Sequence, residues 1–228
     1  MSGVFITFEG IDGCGKSTQL RMLAAELRAR GLDVVTTREP GGTTLGQKLR
    51  AALLDVEGAV DPLAELLVFA ADRAHHVKTL VRPSLAQNKI VISDRYADAT
   101  VAYQGSGRGF KPELIQQIVQ LATGGLKPDL TLLFDLSVAE SAIRTRKRTE
   151  AKRSDRLDSE NIEFHERVRQ AYLEIAKHDP ARVHVIDARG SANETHASVM
   201  EMVMRFLEKS GLFGKEQSTK KIKRRANR

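Results

Sequence analysis

The chain is poor in cysteine and in long apolar stretches, and each shortage excludes a class of protein. Cys14 is the only cysteine among 228 residues, so no internal disulfide can form, which fits a reducing cytoplasm. No apolar run approaches the ~20 residues needed to span a bilayer. The N-terminus also lacks the basic start and the small-residue cleavage site of a signal peptide. We therefore expect a cytoplasmic protein with no membrane partner, folded around an apolar core.

The net charge of +7 is concentrated at one end of the chain. Residues 214–228 contain seven basic residues and one acid, whereas the remaining residues together are close to neutral. A short, polar, basic segment has too little apolar surface to fold on its own. We therefore predict a domain over residues 1–213 and a disordered tail over 214–228, and we expect no specific nucleic-acid partner.

Strand-like and helix-like patterns alternate along the chain. The strand candidates are 4–9, 33–37, 89–93, 129–136 and 182–187. The helix candidates are 16–30, 45–54, 62–87, 112–121, 138–147, 162–177 and 194–209, and we expect Pro83 to kink or end the third. This alternation predicts an α/β fold with a parallel sheet covered on both faces, and ligands at the carboxyl ends of the strands.

The first strand candidate runs into a loop that fits G-x-x-x-x-G-K-[ST] and precedes a helical pattern. Backbone N–H groups of such a loop wrap phosphate oxygens, and the N-terminus of the next helix adds its dipole. The lysine contacts the β- and γ-phosphates, and the serine hydroxyl binds Mg²⁺. The predicted ATP-binding residues are Gly10, Ile11, Asp12, Gly13, Cys14, Gly15, Lys16, Ser17 and Thr18. The motif predicts nucleotide binding without identifying the reaction.

Four further segments point to the second substrate. They are 8–13, 69–73, 94–96 leading to 102–105, and the specific run Arg38-Glu39-Pro40-Gly41-Gly42-Thr43. In these segments and their order, residues 4 to 207 resemble the thymidylate kinase family, in its bacterial form with lid arginines. The resemblance implies a P-loop NTPase fold, a three-layer sandwich with a five-stranded parallel sheet and helices on both faces. It also implies a homodimer that uses ATP and Mg²⁺ to phosphorylate dTMP to dTDP, a step of dTTP biosynthesis.

The chemistry of the 69–73 segment agrees with a pyrimidine acceptor. Phe69 and Arg73 lie four residues apart on a predicted helix, so they share a face. A phenyl ring can stack on a pyrimidine, and a guanidinium can donate to thymine O4, where cytosine instead carries an amino donor. A phenylalanine on such a helix is more often a core residue, and without the resemblance this would be the preferred interpretation of Phe69.

The resemblance assigns the other acceptor contacts. Arg95 follows a strand candidate and would clamp the acceptor phosphate with its planar fork, the alternative being an ion pair with Asp94 or another acid. Thr100 would bond the pyrimidine N3 edge, and Tyr103 would pack near the sugar, unless they are a helix-surface and a core residue. Asp12 would contact the 3′-hydroxyl and the magnesium shell rather than solvent. The predicted dTMP site is Asp12, Glu39, Phe69, Arg73, Arg95, Thr100, Tyr103 and Gln104, and the predicted metal ligands are Ser17 and Asp94.

A basic segment at about 144–158 matches the lid of the family, although a charge run is also typical of a solvated loop. One form of the family carries a catalytic arginine directly after the loop aspartate, and the other carries it in the lid. Gly13 follows Asp12 here, so the lid must supply the charge. The best candidates are Arg153 and Arg156, with Arg148 behind them. Together with Lys16, Arg95 and Asp12, Arg153 and Arg156 form the predicted catalytic set.

The predicted reaction needs no general base. A phosphate monoester is mostly dianionic at neutral pH, since its second pKa is about 6, so catalysis would depend on alignment and charge neutralisation.

Three alternatives remain: another nucleoside monophosphate kinase, a GTPase, and a nucleic-acid-binding ATPase. The 38–43 and 69–73 segments disfavour the first. The only Asn-Lys pair, Asn88-Lys89, is followed by Ile90 within a strand pattern, which disfavours the guanine-selecting Asn-Lys-x-Asp, and the near-neutral body disfavours the third.

Overall fold

A computed structural model describes residues 3–56, 58–149, 156–157 and 160–211, with side chains in all of these except 147–149. The strands are β1 (Val4–Glu9), β2 (Val34–Arg38), β3 (Ile90–Asp94), β4 (Leu130–Asp135) and β5 (Val183–Asp187). The α-helices are α1 (Lys16–Ala29), α2 (Thr44–Leu54), α3 (Pro62–His76), α4 (Arg82–Ala86), α5 (Ala97–Thr100), α6 (Pro112–Thr123), α7 (Val138–Thr149), α8 (Ile162–His178) and α9 (Ala192–Lys209). The predicted tail 214–228 and residues 150–155 and 158 of the predicted lid lie outside the described residues.

The five strands form one parallel sheet in the order β2-β3-β1-β4-β5. The strand order places β1 in the centre, where its residues pair with β3 on one side and with β4 on the other. All six residues of β1 are buried, as expected for a strand that has neighbours and covering helices on every side. The predicted fold class is confirmed.

Helices cover both faces of the sheet because side chains alternate along each strand. Ile6 and Phe8 of β1 point to the face where α1 and α9 pack, in a cluster that includes Leu23 and Val203. Phe5, also of β1, points to the opposite face, towards the segment around Val77 and Val81, and α8 covers the same face beside β4. The alternation therefore gives three layers.

Two π-helical segments were not predicted from the sequence. Val77–Val81 separates α3 from α4, so the helix predicted over 62–87 is divided into three parts. Pro83 lies in the first turn of α4, where it cannot donate a backbone hydrogen bond, and the wider π-helical turns come directly before it. The second segment, Val101–Gly107, continues α5. In the described ranges, no helix is both long and apolar enough to cross a membrane.

The sheet brings three chain segments to one edge. The carboxyl ends of β1, β2 and β3 are neighbours, since Phe8 and Arg38 both pair with Asp94. The residues that follow these ends are Gly10, Glu39 and Arg95, which belong to three different parts of the predicted site. The parallel topology thus places the predicted phosphate loop beside the predicted acceptor residues.

Candidate active site

The loop between β1 and α1 is compact and closed by Lys16. Its Nζ donates to the carbonyl oxygens of Gly10 (3.0 Å) and Ile11 (2.8 Å) and lies 3.5 Å from Cys14 Sγ. Gly10 has a φ of 134°, and a Cβ there would lie 2.5 Å from the Phe134 carbonyl oxygen, so only glycine fits. The loop therefore holds an ammonium group among its own backbone atoms, directly before the N-terminus of α1.

A hydroxyl and a carboxylate meet beside this loop. Ser17 Oγ donates to Asp94 Oδ2 at 2.6 Å, although the two residues are 77 positions apart. Oxygen ligands of these two kinds suit Mg²⁺, which is usually bound through one or two carboxylates together with substrate phosphates. Within the described ranges, His, Cys, Asp and Glu form no group of three or more that could hold a metal by themselves.

All eight predicted acceptor residues line one cleft next to the phosphate loop, with about 550 Å³ of empty space that includes its opening to solvent. They come from the phosphate loop, the chain after β2, α3, the chain after β3, α5 and the second π-helical segment. Among the described residues, five others outside the predicted set also line the cleft. The eight are Asp12, Glu39, Phe69, Arg73, Arg95, Thr100, Tyr103 and Gln104, and the other five are Pro40, Arg50, Leu54, Ala99 and Leu157.

Arg73 is buried and held on three sides at the inner end of the cleft. It donates to Glu39 Oε2 (2.7 Å), to Thr100 Oγ1 (2.7 Å) and to the Tyr96 carbonyl oxygen (2.9 Å). The other oxygen of Glu39 lies 2.7 Å from Nδ1 of the buried His76. Burial opposes the charge of Arg73, but Glu39 outweighs it, and the pKa of the guanidinium is raised. Arg73 therefore stays charged, with a fixed orientation.

Arg95 and Asp12 form the ion pair that joins the cleft to the phosphate loop. Nη2 of Arg95 donates to both carboxylate oxygens, at 2.9 and 3.0 Å, and to Tyr103 Oη at 2.9 Å. Tyr103 Oη also donates to Asp12 Oδ2, at 3.2 Å. The resemblance assigns Asp12 to the 3′-hydroxyl of the acceptor and to the magnesium shell, and that role stays a prediction. In the structure, a guanidinium neutralises the Asp12 carboxylate.

The backbone of Arg95 has an unusual conformation, with a φ of 70°. Bonds on both sides hold it there: Arg95 N donates to the Phe8 carbonyl oxygen (2.9 Å), and Ser93 Oγ donates to the Arg95 carbonyl oxygen (2.7 Å). The next amide, Tyr96 N, donates to Glu9 Oε1 at 2.7 Å. Strain of this kind needs support from the surrounding structure, and Glu9 is part of that support.

Glu9 is a buried carboxyl group below the site. Its Oε2 accepts from Tyr172 Oη at 2.8 Å, and Tyr172 Oη also accepts from Arg95 Nη1 at 3.3 Å. Burial and the nearby Asp98 carboxylate raise the pKa of Glu9 to about 7, and Arg95 only partly offsets this. The signal for Glu9 in the sequence was an acid at the end of an otherwise apolar strand. Tyr172 had no signal.

Gly13 lies against α7. A Cβ at this position would be 2.8 Å from both the Ser141 carbonyl oxygen and Thr145 Oγ1. Ser141 Oγ also donates to the Asp12 carbonyl oxygen, which fixes the helix against the loop. An arginine after Asp12 therefore has no room unless α7 moves. The packing agrees with the expectation that any catalytic arginine comes from elsewhere.

The structure places one of the three lid arginines. Arg156 donates from Nε to the Leu53 carbonyl oxygen at 3.2 Å and from Nη2 to Glu65 Oε2. It thus contacts α2 and α3 on the acceptor side of the cleft. Arg153 and the side chain of Arg148 lie outside the described residues, and the catalytic roles of all three stay predictions.

Two of the additional lining residues had a weak signal in the sequence. Arg50 and Leu54 are four residues apart on α2, which follows the specific 38–43 segment, so they share one face. Arg50 Nη1 donates to the Pro40 carbonyl oxygen at 3.4 Å, which orients it towards the same loop. Leu157 lies in the predicted lid, but its contact with the acceptor cleft was not predicted, because it depends on how the chain returns from the lid.

We expect Glu9→Gln to flatten the pH dependence of stability. Because the folded pKa of Glu9 lies above that of the unfolded chain, the native state binds its proton more tightly, and the free energy of unfolding falls as pH rises from about 4.5 to about 7. A glutamine does not titrate. Between pH 5 and 8, the free energy of unfolding of the parental protein should therefore fall by ~2–3 kcal/mol more than that of the variant.

Denaturant unfolding at a fixed protein concentration, repeated across this pH range, measures the difference. Glu201→Gln, which changes an exposed acid on α9, is the matched control and should keep the parental slope. Equal slopes for the parental protein and Glu9→Gln would show that Glu9 does not titrate in this range.

The comparisons with known proteins agree with this geometry. The thymidylate kinase family profile matches residues 8–199. The chain is 45% identical over 206 residues to the thymidylate kinase of Geotalea uraniireducens, covering 89% of this chain and 97% of the relative. It is 49% identical over 199 residues to that of Clavibacter michiganensis, covering 87% and 93%. The crystal structure of thymidylate kinase from Ehrlichia chaffeensis superposes with a TM-score of 0.73 at 38% identity, covering 90% of this chain and all of the other. The chain therefore belongs to the thymidylate kinase family.

Proposed function

We propose that this protein transfers the γ-phosphoryl group of ATP to dTMP, giving dTDP, and that Ser17 and Asp94 would hold the Mg²⁺ ion that the reaction uses. Membership of the thymidylate kinase family supports the reaction. The observation that carries the site assignment is the cleft: eight residues predicted from separate parts of the sequence line it, and the Arg95–Asp12 pair joins it to the phosphate loop.

The charges of the two substrates match the residues on each side of this pair. Lys16, among the loop carbonyls, is placed to meet the β- and γ-phosphates when it leaves its present partners. Arg95 carries further N–H donors that can bind an acceptor phosphate. When bound, Mg²⁺ would neutralise phosphate charge. The chain itself then aligns the two phosphates, and the acceptor is already ionised, so no side chain has to remove a proton.

The inner end of the cleft fits a thymine ring. Phe69 and Arg73 both line it, as their spacing on α3 predicted, and Arg73 uses three donors internally, which leaves two of its five N–H groups for a carbonyl. A carbonyl at position 4 would accept from it, whereas the amino group of cytosine would not. This distinguishes dTMP from dCMP and disfavours the alternative that the chain is a CMP kinase.

We expect turnover with dTMP to exceed turnover with dCMP, UMP and AMP in a coupled assay with ATP and Mg²⁺. Lys16→Ala should reduce kcat with dTMP by at least ~10²–10³-fold, because it removes the ammonium group that the loop holds at its carbonyl oxygens. Lys209→Ala, an exposed change on α9, should keep parental turnover. Near-normal activity of Lys16→Ala, with an unchanged circular dichroism spectrum, would contradict the phosphate-loop assignment.

Removal of the catalytic lid arginine should lower kcat more than it raises either KM. The reason is that its charge meets the transferred group mainly in the transition state. Arg148→Ala, Arg153→Ala and Arg156→Ala are measured singly and together, and the key variant should lose ~10³-fold in kcat, with poor rescue by lysine. Arg205→Ala on α9 is the exposed control. If the triple variant kept the parental kcat, the lid-arginine mechanism would be wrong. Lys16, Arg95 and the metal would then have to neutralise the charge of the transferred phosphoryl group.

We further propose a homodimer through α2, α3 and α6. These helices pack side by side, α2 against α3 and α3 against α6. Each of them exposes at least one large apolar side chain. Leu67 of α3 is 52% exposed and Leu121 of α6 is 84% exposed, and Leu45 of α2 and Leu63 of α3 are also exposed. Apolar residues gathered on adjacent helices are typical of a protein interface.

Leu67→Glu should convert the dimer to a monomer, because it places a charge in the middle of an apolar interface. Analytical ultracentrifugation measures the mass of the parental protein and of the variant at the same concentration. Ile143→Glu changes an equally exposed apolar residue on α7, outside this surface, and should leave the mass unchanged. A monomeric parental protein would refute the proposed interface.

A further inference from the structure

Glu65 is a buried carboxylate on α3 with no place in the predicted site. Its relative exposure is 0%, and it accepts hydrogen bonds from three side chains. Gln104 Nε2 donates to Oε1 at 2.9 Å, and Arg108 donates to Oε1 at 3.2 Å and to Oε2 at 3.0 Å. Arg156 Nη2 also donates to Oε2. These four bonds fill the acceptor capacity of a carboxylate.

The charge of Glu65 fixes the direction of these bonds. Burial alone would favour the neutral acid, but the hydrogen bonds from Arg108, Arg156 and Gln104 outweigh it, and the net pKa of Glu65 is lowered. An ionised carboxylate can only accept hydrogen bonds. The amide of Gln104 must therefore turn its NH₂ group towards Glu65.

This orientation matters because Gln104 also lines the acceptor cleft. Glu65 takes an N–H of Nε2, so the carbonyl Oε1, at the other end of the amide, is the acceptor that Gln104 can offer a ligand. A carbonyl oxygen accepts from the N3–H of thymine, which lies between two ring carbonyl groups. In cytosine the same ring position is an acceptor, so two acceptors would face each other. A reversed amide would instead favour cytosine.

The same carboxylate also holds the chain at the opposite wall of the cleft. Arg156 directly precedes Leu157, which lines the cleft, and its Nε donates to the carbonyl oxygen of Leu53 on α2. Arg108, which donates to Glu65, also forms an ion pair with Glu160, just before α8, with 2.7 Å between Arg108 Nη1 and Glu160 Oε1. Glu65 thus lies where α2, α3, the second π-helical segment and the chain after the predicted lid meet.

We propose that Glu65 is a positioning residue for pyrimidine selection: it sets the amide orientation of Gln104 so that a carbonyl oxygen, and not an NH₂ group, faces the base. The proposal rests on the proposed function, because it takes the cleft to be the dTMP site. It assigns to a buried carboxylate a role that separates dTMP from dCMP without any contact with either nucleotide.

The test compares the dissociation constants of dTMP and dCMP, measured by calorimetry in the absence of ATP. Glu65→Gln keeps the size of the side chain but replaces an obligatory acceptor with an amide that can also donate, so the Gln104 amide can reverse. The ratio of the dCMP constant to the dTMP constant should fall about tenfold, as expected for one mispaired buried hydrogen bond. The dissociation constant of ATP, measured separately, should change little.

Two further variants separate positioning from general destabilisation. In a Gln104→Leu background, Glu65→Gln should leave the ratio unchanged, because the amide through which it acts is absent. Asp98→Asn removes a part-buried carboxylate that pairs with Arg182 at 2.7 Å and does not line the cleft, and it should keep the parental ratio. If Glu65→Gln fails to fold, Glu65→Gln/Arg108→Gln removes one cation together with the anion.

An unchanged ratio in a folded Glu65 variant would overturn the proposal while leaving dTMP kinase activity intact. An equal fall of the ratio with and without Gln104 would also overturn it, since the effect would not pass through the amide. If the parental protein bound neither nucleotide in this assay, the proposed function would fail, and the proposal with it. These three results are distinguishable from one another.

Discussion

The ion pair between Arg95 and Asp12 is the contact on which the site depends. It joins the phosphate loop after β1 to the chain after β3, with Arg95 Nη2 at 2.9 and 3.0 Å from the two Asp12 oxygens. Without the guanidinium, a carboxylate in a phosphate loop would repel the polyphosphate that the loop is built to bind. Without the carboxylate, a largely buried cation would lose the anion to which it donates directly and would keep two neutral tyrosine hydroxyls. Each group is therefore placed correctly only because the other is present.

The sheet register is the reason that these groups can meet. Phe8 and Arg38 both pair with Asp94, so β2 and β3 end at the same height and β1 ends one residue beyond, and the segments that follow leave the sheet side by side. Backbone bonds continue the alignment past the strands, from Glu39 N to Asp94 O and from Arg95 N to Phe8 O. Residues that are tens of positions apart in sequence thus become neighbours through strand pairing, before any side chain of the site is considered.

The sequence predicted what local patterns determine. All five strands were predicted within a few residues, because buried apolar runs and their turn residues mark them, and the residues chosen from short motifs at strand ends do line one cleft. It did not predict the π-helical segments or the partners of Glu65. Those depend on which buried side chains meet after packing, and an acid on α3 such as Glu65 looks like any acid near the start of a helix. Tyr172 was not predicted as a site residue for the same reason, since nothing in its own segment indicates that it lies between Glu9 and Arg95.

The arginines of the cleft have one feature in common, namely that the protein orients each of them before a ligand arrives. Arg73 is fixed by Glu39, Thr100 and a backbone carbonyl, and Arg95 by Asp12 and two tyrosine hydroxyls. Pairing buried charges contributes little net stability, because desolvation opposes the attraction. What the pairs provide is direction, since a planar fork held on one side presents its remaining donors in a defined plane. Charged substrates then meet donors that need no reorganisation, and this favours alignment of two anionic phosphates that would otherwise repel each other. On this argument, the acids around the cleft matter as much to recognition as the arginines do, because they decide where each positive charge points.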